Sequence, residues 1–284
     1  MSGWALLEKA LAGRWIAGPR IKDAAERSAR FNRLGIGTEI NYLGEDFRTK
    51  AEVRDAVQTY FRLIDEIKRD RLDADISLKP TQLGLLISRR LAKDNYGRIV
   101  ARARSRGIFV WLDMEDAEHV DDTISFYMAE VGRGNVGICV QAYLRRSAAD
   151  IRGIVAMGGI IRLVKGAYSV KGNGAFKTKP AVDRDYMALM EYLFKRSKKF
   201  MVATHDTKMI KAALRLNGHY NRDVTYAMLN GIRNRYAIAL ARSGHRVSLY
   251  VPFGSRWVDY SYRRLKEAGH LSLIIRSLFE RQSV

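Results

Sequence analysis

Eight short runs rich in β-branched, aliphatic and aromatic residues recur along the chain: TEINYLGE (38–45), DADISLKP (73–80), IFVWLDME (108–115), VGICVQAY (136–143), GIIRLVKGAY (159–168), FMVATHD (200–206), DVTYAMLN (223–230) and RVSLYVPF (246–253). Between them lie longer stretches whose apolar residues return at helical spacing, such as AVQTYFRLIDEIKRD, RIVARARSR and YMALMEYLFKRSKK. Strand runs alternating with helical ones, with no hairpin signal between neighbours, predict parallel strands joined by helical crossovers. Eight such units predict an α/β fold, a (β/α)8 barrel of the TIM type. No Pro/Gly/Ser linker interrupts the series, so residues 36–284 read as the barrel domain with a C-terminal helix. Residues 1–35 read as a helical segment ahead of it.

A barrel of this kind carries its chemistry at the C-terminal ends of its strands. Those ends bear Glu45, Lys79, Asp113 with Glu115, Gln141 with Tyr143, Arg162 with Lys165 and Tyr168, Thr204 with His205 and Asp206, Asn230 and Tyr250. Ordinary turns would finish in Gly, Asn or Ser, so this list points to a small-molecule pocket. Within RLVKGAY, alternation puts Arg162, Val164, Gly166 and Tyr168 on one face and Lys165 on the other. Lys165 therefore reads as a Schiff-base nucleophile, a phosphate contact or a residue of the rim.

The last unit departs from the pattern. A helix over 256–268 places Tyr260, Arg263, Arg264 and Glu267 on one face, too polar a stripe to pack on the barrel exterior. The following HLSLIIRSLFE offers Leu271, Ile274, Ile275 and Leu278 for that outer position, which frees the Arg-Arg helix to lie over the mouth. Two forked guanidinium groups with Lys79 suit a carboxylate or phosphate, with Glu267 and Asp113 to balance the charge and Tyr168 and Tyr250 as aromatic walls.

Composition narrows the partners. With 284 residues, 47% hydrophobic and 28% charged, the chain can bury a large core. The balance of 50 basic against 30 acidic residues, +20, favours an anionic partner: nucleic acid, lipid headgroups or a phosphorylated cofactor. Cys139, the single cysteine, rules out a disulfide framework and fits a reducing cytoplasm. No apolar run is long enough for a membrane span. Trp4, Leu7, Leu11 and Trp15 give the N-terminus an amphipathic helical pattern rather than that of a signal peptide. The other histidines have no ligand spacing to His205, so no metal site is expected. GxGxxG occurs once, as GRGNVG (132–137), but it leads into a strand run and does not join a strand to a helix, and GxxxxGK[ST] does not occur, so Rossmann and P-loop nucleotide binding have no support; the basic, Gly-rich KGNGAFK loop could still cradle phosphate.

RLVKGAY (162–168), YVPFG with YSYRRLKE (250–254 and 260–267), NYLGE (41–45), LDMED (112–116), QAYLRR (141–146) and ATHD (203–206), which follow one another along the chain in the family's order, together resemble the FAD-dependent, monofunctional proline dehydrogenases. The resemblance runs from about residue 40 to 268. It implies oxidation of L-proline to Δ1-pyrroline-5-carboxylate by hydride transfer to N5 of FAD, with electrons passed on to a quinone as the first step of proline catabolism. It implies that Arg263, Arg264 and Lys79 hold the proline carboxylate, that Tyr168 and Tyr250 flank the ring, and that Asp113 and Glu267 order these groups. Arg162 would lie near the flavin N5; Gln141, Lys165, Gly166 and Ala167 would line the flavin, and Thr204 and His205 would meet its nucleotide end.

SVKGNG after Tyr168 and YAMLNGIR in the seventh run depart from the family pattern, which leaves the FAD contacts there open. The +20 charge, the Trp-bearing N-terminus and LSLIIRSLF are compatible with a peripheral place on the inner face of the cell membrane, and an oligomer is left open. A Schiff-base aldolase or lyase using Lys165 is the alternative. Nucleic-acid binding, which charge alone would allow, is not expected given the polar strand ends.

Overall fold

A computed structural model describes residues 13–166, 168, 170 and 172–256 of the chain. Eight parallel strands close into a barrel in sequence order: β1 (Gly37–Tyr42), β2 (Ala74–Leu78), β3 (Val110–Leu112), β4 (Val136–Gln141), β5 (Ile160–Val164), β6 (Lys199–Ala203), β7 (Asp223–Leu229) and β8 (Val247–Phe253). The expected (β/α)8 architecture is present; six strands fall within the runs that predict them, and β1 and β6 each begin one residue earlier, at Gly37 and Lys199. Closure is made by β1 on β8, with Glu39 opposite Tyr250 and Asn41 opposite Pro252.

Helix α1 (Ile21–Asn32) precedes the barrel; α2 (Lys50–Arg69), α3 (Arg89–Arg106), α4 (Val120–Glu130), α5 (Ser147–Ala156), α6 (Lys179–Arg196), α7 (Thr207–Tyr220) and α8 (Asn234–Arg242) connect the strands. The start of α2 shows why they begin where they do. Thr49 accepts the Glu52 backbone N–H while the Glu52 carboxylate accepts that of Thr49, a reciprocal cap written in the sequence as Thr-x-x-Glu. Outward strand residues and inward helix faces form one large apolar core, with Tyr60, Tyr96, Phe126, Tyr186 and Phe194 among its fully buried members.

Helix α1 packs against both β8 and β1, on the outer flank of the closing seam. Residues 271–278, which the sequence pattern offers for an outer packing position, lie outside the described residues. Ahead of α1 the chain crosses the C-terminal end of the barrel: the Ala17 N–H donates to Pro252 O at 2.9 Å and Asn230 Nδ2 to Trp15 O at 3.0 Å. Trp15 and Ile16 pack there with Leu43 and Ile232. Gly231, at φ +82°, lets the β7 exit turn pass directly beneath the Arg14 carbonyl, where any side chain would collide.

Candidate active site

Lys79 owes its position to the turn that follows it. Pro80 opens a short 3-10 turn (Pro80–Leu83), and Gln82 within it accepts the Lys79 backbone N–H at 3.2 Å while donating to Tyr42 O at 2.6 Å. The carboxylate of Glu115 seals the same turn, accepting the Thr81 N–H at 3.0 Å and its hydroxyl at 2.6 Å; Thr81 Oγ1 in turn accepts the Asp46 N–H at 3.0 Å. Burial pushes the Glu115 carboxyl up to about 7.

Inward alternation along β2 and β3 brings Ser77, Lys79, Trp111 and Asp113 into the barrel. Asp113 is the hub. Its Oδ2 accepts from Lys79 Nζ at 2.9 Å and from the Tyr250 hydroxyl at 3.0 Å, and its Oδ1 accepts from Ser77 Oγ at 2.6 Å and from Arg162 Nη2. Burial would raise its pKa, but Lys79 and then Arg162 outweigh this and hold the carboxyl below its ordinary range. For Lys79 burial works the other way and Asp113 overrides it, keeping the ammonium charged.

Arg162 fills the barrel interior beneath this cluster. Nη1 donates to Glu39, Nη2 to Asp113 and, at 3.3 Å, to Ser77 Oγ. Its guanidinium lies 5.3 Å from the Trp111 ring centre and 5.7 Å from that of Tyr250, cation–π distances. Gly137 makes room for the indole: it pairs in register with Trp111, and a side chain there would overlap the ring. With all four groups ionised, Lys79 and Arg162 are balanced by Asp113 and Glu39. This cluster therefore has no surplus positive charge for an anion, and a bound carboxylate needs further cations.

The remaining predicted residues divide. The Tyr168 hydroxyl donates to Glu45 at 3.3 Å, linking the segment after β5 to the loop after β1. Gln141 ends β4 with Nε2 donating to Met114 O at 3.3 Å, while its Oε1 is buried without a partner among the described residues. Gly166 has φ +108°, and a Cβ there would run into the Tyr143 ring, so the local backbone and packing by themselves already call for glycine. Lys165 lies on the face of β5 opposite Arg162, its ammonium 2.6 Å from Asp183 of α6 and 2.8 Å from Asp206. Thr204 Oγ1 accepts the Asp206 N–H at 3.1 Å, and His205 Nε2 accepts the Leu229 N–H at 3.1 Å. A neutral His205 ring thus carries its proton on Nδ1, as a donor.

Ala167, Arg263, Arg264 and Glu267 lie outside the described residues. The chain that leads towards Arg263 and Arg264 is described as far as Arg256. Gly254, at φ +130°, turns the chain out of β8, and Arg256 pairs with Glu52 at 2.7 Å while stacking 4.6 Å from the Phe47 ring centre. Sequence reasoning missed Glu39, Ser77, Trp111 and Thr81. For Glu39 the signal was there: in TEINY it falls on the inward face with Asn41, where an acid requires a buried cation.

A model of the family described as Proline dehydrogenase matches residues 24–276. Proline dehydrogenase 1 of Bacillus subtilis (strain 168) is 33% identical over 260 residues, covering 90% of this chain and 86% of the relative. The proline dehydrogenase of Deinococcus radiodurans is 32% identical over 266 residues, with the same coverage. Among solved structures, proline utilization A from Bdellovibrio bacteriovorus superposes with a TM-score of 0.86 at 21% identity. That likeness covers 95% of this chain but only 34% of the other, so the chain spans about a third of that protein and shares its barrel. Motif order, barrel and sequence identity agree: the chain belongs to the proline dehydrogenase family.

Proposed function

We propose that the barrel mouth oxidises L-proline to Δ1-pyrroline-5-carboxylate with FAD as its bound electron acceptor. An oxidoreductase acting on proline in proline catabolism follows from the family. The observation that carries the finer reading is Asp113 holding Lys79, Tyr250 and Arg162 on one buried carboxylate. Three groups of the predicted site, drawn from β2, β5 and β8, are thereby fixed to one another.

The charge balance of that cluster explains the Arg-Arg motif. Lys79 is committed to Asp113, so Arg263 and Arg264 are the cations that would hold the proline carboxylate, with Lys79 as a third donor and Glu267 balancing them. Tyr250, tied by its hydroxyl, and Tyr168, tied to Glu45, would present ring faces to the pyrrolidine. Holding the carboxylate at two or three points orients the ring carbon beside nitrogen.

The residues present suit a flavin. A buried amide oxygen without a donor costs ~1–3 kcal/mol, and the ring N–H of an isoalloxazine would supply the donor that Gln141 Oε1 lacks among the described residues. Arg162 would place positive charge beneath N5, and the Nδ1–H of His205, with Thr204, would meet the nucleotide end. Ala167, Gly166 and Lys165 complete the proposed lining, with Lys165 acting through its ties to Asp183 and Asp206. When bound, the flavin supplies the hydride acceptor; the chain supplies orientation, charge and exclusion of water.

A quinone is the proposed next acceptor, reached at an anionic membrane surface that the +20 charge would favour. No helix among the described residues is long and apolar enough to cross a membrane. The absorption spectrum tests the proposal. Purified protein should show a flavin spectrum that bleaches on anaerobic addition of L-proline; protein that is colourless and takes up no added FAD refutes it.

A further inference from the structure

Two carboxylates share the Arg162 guanidinium, one at each terminal nitrogen, and they face different surroundings. Asp113 also holds Lys79 and Tyr250 and so belongs to the mouth. Glu39 is wholly buried in β1, reaches Arg162 through Oε2, and has the Ser248 hydroxyl of β8 beside it. An acid enclosed to this degree is retained at a cost in solvation, and a barrel interior can be filled more cheaply with apolar side chains. Arg162 would remain anchored by Asp113 and Ser77 alone. The second carboxylate therefore adds a fixed orientation and a counter-charge that the first does not provide.

We propose that Glu39 is a positioning residue for the reaction: it locks the Arg162 guanidinium and limits how much of its positive charge acts at the barrel mouth, thereby setting the reduction potential of the bound flavin. This rests on the reading of Arg162 as the cation beside the flavin. Asp113 is already shared with Lys79, so its charge is divided between two cations, and Glu39 supplies most of what balances Arg162. A flavin that gains negative charge on reduction is stabilised by an uncompensated cation nearby, so Glu39 lowers the potential. Burial pushes the Glu39 carboxyl above its ordinary range and Arg162 pulls it back, while the Ser248 hydroxyl favours the charged form to a smaller extent.

The test is the flavin reduction potential of FAD-loaded protein, measured against a reference dye for the parent, Glu39→Gln and Ser248→Ala. Gln keeps the size of the side chain and an oxygen to accept from Arg162, so only the charge is removed. Glu39→Gln is expected to favour reduced flavin at least tenfold at fixed solution potential, about 30 mV for a two-electron couple. Ser248→Ala should shift it the same way by less. Flavin-loaded Glu39→Gln with an unchanged potential overturns the proposal, even where the melting temperature falls. Should Glu39→Gln not fold, an unchanged potential in Ser248→Ala overturns it. Parent protein that takes up no FAD refutes the functional reading itself and this inference with it, whereas a proline-bleachable flavin with unmoved potentials refutes only the role of Glu39.

Discussion

The Lys79 ammonium and the Asp113 carboxylate lie 2.9 Å apart, with 13% and 10% of their side chains exposed. The second oxygen of Asp113 serves Arg162, so one acid bridges two cations inside the barrel, with Glu39 as the second carboxylate on Arg162. Removing a member of a buried ion network leaves the others uncompensated, which costs more than the network itself contributes. Asp113→Ala is therefore expected to destabilise the fold by about 3–5 kcal/mol, read by chemical denaturation, and to raise the KM for proline at least tenfold. The Asp113 pKa is depressed on folding, so its contribution is present above its unfolded value near 3.8 and fades as the pH falls below it.

Glu115 titrates in the opposite sense. Burial raises its pKa from 4.5 to about 7, so the folded state holds a proton that the unfolded chain releases. The stability it contributes is complete below about 4.5 and is lost as the pH rises towards 7. The difference in unfolding free energy between parent and Glu115→Gln should move in favour of the variant over this window, by at most about 3 kcal/mol. A difference that stays constant from pH 4.5 to 7.5 would contradict the assignment.

Gly137→Ala tests the packing of the barrel interior. The added methyl would meet the Trp111 indole, whose Nε1 is fixed to Asp75 at 3.0 Å. Overpacking of this kind costs about 1–3 kcal/mol. Because Trp111 also lies against Arg162, the substitution should shift the tryptophan fluorescence as well as lower the melting temperature.

Lys165 separates the dehydrogenase from a Schiff-base enzyme. Its ammonium is held between Asp183 and Asp206, on the opposite face of β5 from Arg162. Borohydride treatment with keto acids should trap nothing on Lys165. Lys165→Met should loosen the segment after β5 and weaken FAD retention, read as flavin lost on gel filtration; trapping of a carbonyl substrate would revive the alternative.

Strand alternation and helical periodicity determined the architecture by themselves. Both are local patterns, and each of the eight strands coincides, to within one residue at its start, with the run that signals it. Lys79 and Asp113 were legible for the same reason, since charged residues ending apolar strands can face only a mouth or solvent. The proline dehydrogenase motifs were legible too, in order and spacing. What only the tertiary structure decided is which groups meet. Arg162 and Glu39 are 123 residues apart, and Tyr250 and Asp113 are 137 apart. Their encounter depends on how β1 and β8 register at the closing seam and how far each strand is tilted, which no local window contains. The place of α1 against β8 and β1 is of the same kind. Periodicity shows that a helix has an apolar face, but the surface it covers is chosen by the free energy of packing the whole chain.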